Sequence, residues 1–207
     1  SPYDILLNRD GGREGIEGLR EGAAVGTSSM RRGAQLRRAR PDLKIERLRG
    51  NLQTRLAKLE RGDFDAIVLA EAGLERMGLE MDYARLDPER FVPSANQGTI
   101  IVVARKGTAA EQHSRALDHA PTRTETMIER RILETVGGGC VVPMAVHACA
   151  SGGSARVLAE ILSLDGERFV RLDEKISLND RPLDRAEDMG QRLMNMGGRE
   201  LVDEAVK

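Results

Sequence analysis

The sequence predicts an α/β fold for roughly the first hundred residues, followed by a smaller α+β domain. Three observations carry this. Strand-like and helix-like segments alternate from residue 23 to residue 78. The run DAIVLA (65–70) is continuously apolar, as in a strand covered on both faces. After residue 140 the pattern turns to strand-like stretches, two of them separated by Asp165-Gly166, a strong hairpin signal. With 207 residues, 40% of them hydrophobic, the chain can build two cores.

Taken in order, the Gly-rich RDGGREGIEGLREG (9–22) reads as a loop with at most a poor helix. AAVGTSS (23–29) reads as a strand and turn, MRRGAQLRRAR as a helix stopped by Pro41, and LKIERL (43–48) as a strand. In NLQTRLAKLERG, Leu52, Leu56 and Leu59 share one helical face and Gly62 ends it. DAIVLA follows, then the short helix EAGLERMG, and this βαβαβα order implies a parallel sheet covered by helices. After the loop VPSANQG, the stretch TIIVVARKG (99–107) is another strand of the buried type, in need of a sheet to join. TRTE (122–125) has the form of a capping box, with Thr122 as cap and Glu125 three residues on, opening a helix that runs to the glycines at 137. Val142, Met144, Val146 and Ala148 then share a strand face, ARVLAEILSL and ERFVRLDEKI form a hairpin, and two helices end the chain. The first of these has Leu183, Ala186, Met189, Leu193 and Met196 on one side.

Composition narrows the function. The formal net charge is −1 and aromatics make up 2%, with no Trp, so neither a general electrostatic footprint for nucleic acid nor a base-stacking platform is expected. No run approaches the ~20 apolar residues of a membrane span. SPYDILLNRD lacks the layout of a secretory leader, and a cytoplasmic location is the expectation. Cys140 and Cys149 make a poor disulfide framework, and His113, His119 and His147 form no close pair of the kind zinc uses, so no metal is expected.

Charge is distributed unevenly. Residues 22–61 hold 11 Lys and Arg against 3 Asp and Glu. Arg37, Arg38, Arg40, Lys58 and Arg61 read as solvated helix faces. Arg31 and Arg32 fall in the first turn of one predicted helix, Arg55 near the first turn of the next, and Arg49 in the loop before it. Cations there oppose the helix dipole. Both helix starts follow strand ends, where α/β sheets place their ligands. Thr27, Ser28, Ser29, Gly50 and Asn51 add hydroxyls, an amide and free backbone N–H groups. Together these predict a site for a carboxylate or phosphate, gripped by guanidinium forks. GxxxxGK is absent, so this is not a nucleotide P-loop.

VGTSSMRRGAQL (25–36), RPDLKIERLRGNLQTRLAKLERGDFDAIVLAEAGL (40–74), PSANQG (93–98) and GGGCVVPMA (137–145), in this order, resemble the porphobilinogen deaminases, also called hydroxymethylbilane synthases. The resemblance implies a transferase of tetrapyrrole (heme) biosynthesis that joins four porphobilinogen molecules head to tail with release of ammonia. It also implies a lobe like those of periplasmic binding proteins, with a parallel or mixed sheet, and a C-terminal α+β domain with a three-stranded antiparallel sheet. A dipyrromethane cofactor would be held by a thioether to Cys140. Thr27, Ser28, Ser29, Arg31, Arg32, Arg49, Gly50, Asn51 and Arg55 would bind cofactor or substrate carboxylates, and Gln97 would lie at the hinge. Gly137 to Gly139 then form a bare loop that lets Cys140 reach into a cleft.

The resemblance divides the chain into a second, central domain over residues 1–95, a segment at 96–117 returning to a first domain, and a cofactor-attachment domain over 118–207. SPYDILLNRD resembles the linker that leaves the first domain. That domain and its catalytic aspartate have no counterpart here, so no catalytic residue is assigned and the 207 residues alone are expected to be inactive. The partners implied are porphobilinogen and the growing oligopyrrole, in an enzyme otherwise monomeric, with self-association of this chain expected through residues 99–107. Asn96 stands where the family usually has glycine. The rival reading is a non-catalytic anion-binding module of periplasmic-binding type, which would need neither Cys140 nor its glycines.

Overall fold

A computed structural model describes residues 1–207. The N-terminal half is built on a five-stranded mixed sheet. Its strands are β1 (Asp4–Asn8), β2 (Ala24–Gly26), β3 (Lys44–Glu46), β4 (Ala66–Ala70) and β5 (Ala84–Arg85), in the order β3-β2-β4-β1-β5. β2 runs parallel to β3 and β4, as the alternation predicts. β1 runs antiparallel between β4 and β5, so residues 4–8 form an interior strand. Ile5, Leu6 and Leu7 alternate between two layers of core, which is why the run ILL is stable only when covered on both faces. Helices α1 (Met30–Ala39), α2 (Leu52–Glu60) and α3 (Glu71–Met77) follow β2, β3 and β4. The Gly-rich stretch at 9–22 contains only a single 3-10 turn, Ile16–Gly18, pinned by the buried Ile16.

The C-terminal half is a three-stranded antiparallel sheet, β6 (Met144–Ser151), β7 (Ser154–Leu162) and β8 (Phe169–Ser177), in the order β6-β7-β8. A short helix α4 (Ala109–Ser114) precedes it, and α5 (Ala120–Val136), α6 (Pro182–Leu193) and α7 (Arg199–Val206) complete the half. Its core joins Ile128 and Ile132 of α5 to the inner faces of the strands and to Ala186, Met189 and Leu193 of α6. A small cluster of Val92, Ala145 and Leu158 packs where the two halves meet.

Three local expectations are corrected. Residues 99–107 form no strand: no edge in the chain pairs with them, and Ile100, Ile101, Val102 and Val103 are exposed. Helix α5 starts at Ala120 with His119 as its cap, because Pro121 fits the first turn, where no N–H is needed. Thr122 is therefore inside the helix, and Glu125, freed from capping, accepts the Ala150 N–H at 2.8 Å. At the end of α6 the chain turns through Gly197 at φ 112°, which leaves Met196 half-exposed. No helix is long and apolar enough to cross a membrane.

Candidate functional site

Strand β2 delivers Thr27, Ser28 and Ser29 to the head of α1. Thr27 is buried and accepts the Ser29 N–H at 3.2 Å, Ser28 donates to the Leu48 carbonyl, and Ser29 caps the helix by accepting the Arg32 N–H. Strand β3 likewise leads to Gly50 and Asn51 at the head of α2. Asn51 Oδ1 accepts from the Thr54 N–H at 2.9 Å. Gly50 has φ 122°, and a Cβ there would lie 2.6 Å from Thr54, so the cap requires glycine. Arg55 donates from Nε to the Gly50 carbonyl at 2.8 Å, which holds its outer fork toward solvent at this loop. Arg49 is exposed, and its guanidinium has no protein partner.

Arg31 and Arg32 break the dipole rule for a reason the structure supplies. Asp4, at the start of β1 and with its side chain 0% exposed, faces both. Arg31 Nη1 donates to Asp4 Oδ2 at 2.7 Å, and Arg32 Nε donates to Oδ1 at 2.9 Å. Gln97 closes the group, giving its amide to Asp4 Oδ1 at 2.9 Å and the Pro2 carbonyl at 2.6 Å while its oxygen accepts from both arginines. Burial pushes the Asp4 carboxyl up, but the charges and hydrogen bonds of Arg31 and Arg32 outweigh it and hold it below the usual carboxylate range. Burial lowers Arg32 and Asp4 opposes that; a guanidinium stays charged through either. Most donors of these two arginines are therefore committed inside the protein. The exception is Arg31 Nε, buried and without a partner.

Three arginines assigned to solvated faces are instead bound to other parts of the chain. Arg37 donates to the Leu164 carbonyl at 3.0 Å. Arg38 reaches the C-terminal half, donating to Glu160 at 3.0 Å and to the Arg90 carbonyl at 3.0 Å. Arg40 clamps Asp42 and the carbonyls of Ile16 and Leu19.

Three successive glycines at 137–139 have positive φ, 75°, 81° and 66°, the last of them opening the 3-10 turn Gly139–Val141 that carries Cys140. At Gly138 a Cβ would also collide with Val142, 2.3 Å away. Cys140 is free and exposed, and it lines a cleft of about 530 Å³ together with Ser28, Ser29 and Arg31. Cys149 is free and exposed on β6 and lines no part of this cleft. Asn96, in the segment joining the halves, is left-handed at φ 61°, a conformation that glycine and asparagine share.

Two family models match the chain. One, porphobilinogen deaminase, dipyromethane cofactor binding domain, matches residues 1–113, and the other, porphobilinogen deaminase, C-terminal domain, matches residues 123–196. The chain belongs to the porphobilinogen deaminase family. A probable porphobilinogen deaminase of Methanococcoides burtonii is 49% identical over the whole chain and 66% of its own length. One of Methanosarcina mazei is 47% identical, over the whole chain and 65% of its length. The porphobilinogen deaminase of Syntrophobacter fumaroxidans is 40% identical over 98% of the chain and 65% of its length. The chain thus spans just under two thirds of these relatives.

As a porphobilinogen deaminase family member, the chain places Thr27, Ser28, Ser29, Arg31, Arg32 and Gln97 in one group and Arg49, Gly50, Asn51 and Arg55 in a second, at the head of the next helix. Asp4, Gln35 and Glu160 were not singled out from sequence. The only trace Asp4 leaves there is an acid heading the apolar run ILL, which in a covered strand demands a cation.

Proposed function

We propose that these residues carry the cofactor-attachment and carboxylate-binding parts of a hydroxymethylbilane synthase acting in tetrapyrrole biosynthesis in the cytoplasm, with porphobilinogen and the growing oligopyrrole as its ligands. The observation behind this reading is that Cys140 lines the same cleft as Ser28, Ser29 and Arg31. A dipyrromethane fits the donor set: one accessible sulfur to hold it by a thioether, and hydroxyl and guanidinium donors for its acetate and propionate side chains. When bound, it supplies the pyrrole terminus to which further porphobilinogen units are joined.

The roles left to the chain are binding and orientation. Cys140 holds the pyrrole chain, and Gly138 lets the turn before it pass Val142 without a side-chain clash. Ser28, Ser29 and Arg31 orient the carboxylates nearest the sulfur. Arg49 and Arg55, whose outer donors are free, bind carboxylates further along, and Thr27, Gly50 and Asn51 shape the two helix heads. Arg32 and Gln97 act chiefly by fixing Arg31 and the joining segment through Asp4. Guanidinium donors at the heads of α1 and α2 suit a ligand that gains two carboxylates with every unit added.

The test is protection of Cys140 from alkylation in a Cys149→Ala background. A pyrrole bearing acetate and propionate should slow alkylation at micromolar to millimolar concentration, and its dimethyl ester should not. Equal protection by acid and ester would overturn the carboxylate reading.

A further inference from the structure

Gln35 lies one helical turn beyond Arg31 on the same face of α1, and it is fully buried. Its Oε1 accepts from Arg31 Nη1 at 3.0 Å, while its Nε2 donates to the Val92 carbonyl at 2.9 Å and to Glu160 Oε1 at 2.8 Å. Glu160 is on β7, in the middle strand of the other half, and is also fully buried. Within its own sheet its one donor is Arg171 on β8, at a long 3.5 Å; its close donors, Gln35 and Arg38, both come from α1. A buried carboxylate costs several kcal/mol unless paired, so a residue needed only to pack this sheet would be apolar.

The chemistry of the pair fixes a direction. An ionised carboxylate can only accept, so the amide end of Gln35 must face Glu160, and its carbonyl oxygen is then turned onto Arg31. We propose that Gln35 and Glu160 are positioning residues that lock the half carrying Cys140 in register with Arg31, so that thiol and guanidinium face one cleft. The inference rests on the carboxylate reading of that cleft given above.

Arg31 is the one cation lining the cleft and Glu134 the one anion, so the position of Cys140 relative to Arg31 can be read from its reagent preference. In the full chain carrying Cys149→Ala, with Cys140 verified as a free thiol by intact mass, the second-order rates of modification by dianionic 5,5′-dithiobis(2-nitrobenzoate) and by neutral methyl methanethiosulfonate are compared as a ratio. Glu160→Gln and Glu160→Met are matched in charge and differ in the acceptor oxygen. The ratio should stay within about twofold of the parent in Glu160→Gln and fall by at least about fivefold in Glu160→Met. Gln35→Met should reproduce the fall, and the Gln35→Met/Glu160→Met double variant should lose no more than either single one, since the two act as a unit.

General loosening would raise both rates and leave the ratio alone, and that result, or an equal fall in Glu160→Gln, overturns the pair. If Glu160→Met does not fold, Gln35→Met decides, because it leaves Glu160 with Arg38 and Arg171. Neither reagent is a pyrrole, so the two readings fail differently. A parent ratio no higher than that of a small free thiol overturns the carboxylate reading and the pair with it. A higher parent ratio that Gln35→Met leaves intact overturns the pair alone.

Discussion

Replacing Asp4 by Asn would remove the charge around which Arg31 and Arg32 are assembled while leaving its volume unchanged. In the structure the Asp4 side chain is 0% exposed, Arg31 5% and Arg32 11%, so solvent screens little of the loss. Deleting one partner of a buried ion pair costs about 3–5 kcal/mol, and Asn, which keeps one acceptor oxygen, should fall near 3 kcal/mol. For a chain of this size that lowers Tm by roughly 6–12 °C, read as the loss of far-ultraviolet circular dichroism on heating. The pH dependence adds an independent check. The Asp4 carboxyl is held below its ordinary value, so its contribution is complete above the unfolded value of about 3.9 and disappears as pH falls through the lower folded value. The gap between parent and Asp4→Asn should therefore be equal at pH 7 and pH 5 and narrow below about pH 4. A Tm change under about 2 °C at pH 7, or a gap that widens in acid, would refute the assignment of Asp4 as the organising charge.

Three further outcomes are expected. Gly166, at φ 80°, brings the β7–β8 connection against α1, where a Cβ would lie 2.3 Å from the Ala34 carbonyl; Gly166→Ala should cost at least about 1–3 kcal/mol in urea unfolding. Arg49→Ala and Arg55→Ala should each weaken binding of a pyrrole dicarboxylate about three- to tenfold by calorimetry, with a smaller effect at 0.5 M salt than at 0.05 M. Ile101→Asp should reduce any self-association seen in sedimentation velocity without lowering Tm, because Ile100, Ile101 and Val103 are already exposed.

Elements whose stability is local were legible in the sequence. Helices α1 and α2 and strand β4 follow from Pro41, Gly62 and the unbroken run DAIVLA, each a signal confined to a few residues. Residues 4–8 and 99–107 look alike as apolar runs, yet one is an interior strand and the other unpaired. The difference is the presence of partners, β4 and β5 for the first and none for the second, which no run of residues encodes. The same holds for the site. Ser29, Asn51, Gly50 and Cys140 were visible because caps and glycine loops have short-range signatures. Asp4, Gln35 and Glu160 were not, because Arg31 lies 27 positions from Asp4 and Glu160 lies 125 positions from Gln35. Arg38 was misread for that reason: its spacing suits a solvated helix face, and only β7 shows that the face is covered.

The central claim is that Cys140 is the point at which a pyrrole chain is held, and peptide-resolved intact mass tests it most directly. The protein purified from cells that make porphobilinogen should carry an added mass equal to two joined pyrrole units, stable in denaturant and mapped to the peptide containing Cys140. The adduct should be absent from Cys140→Ala and unaffected by Cys149→Ala. An adduct that survives in Cys140→Ala, or that maps to Cys149, would contradict the account.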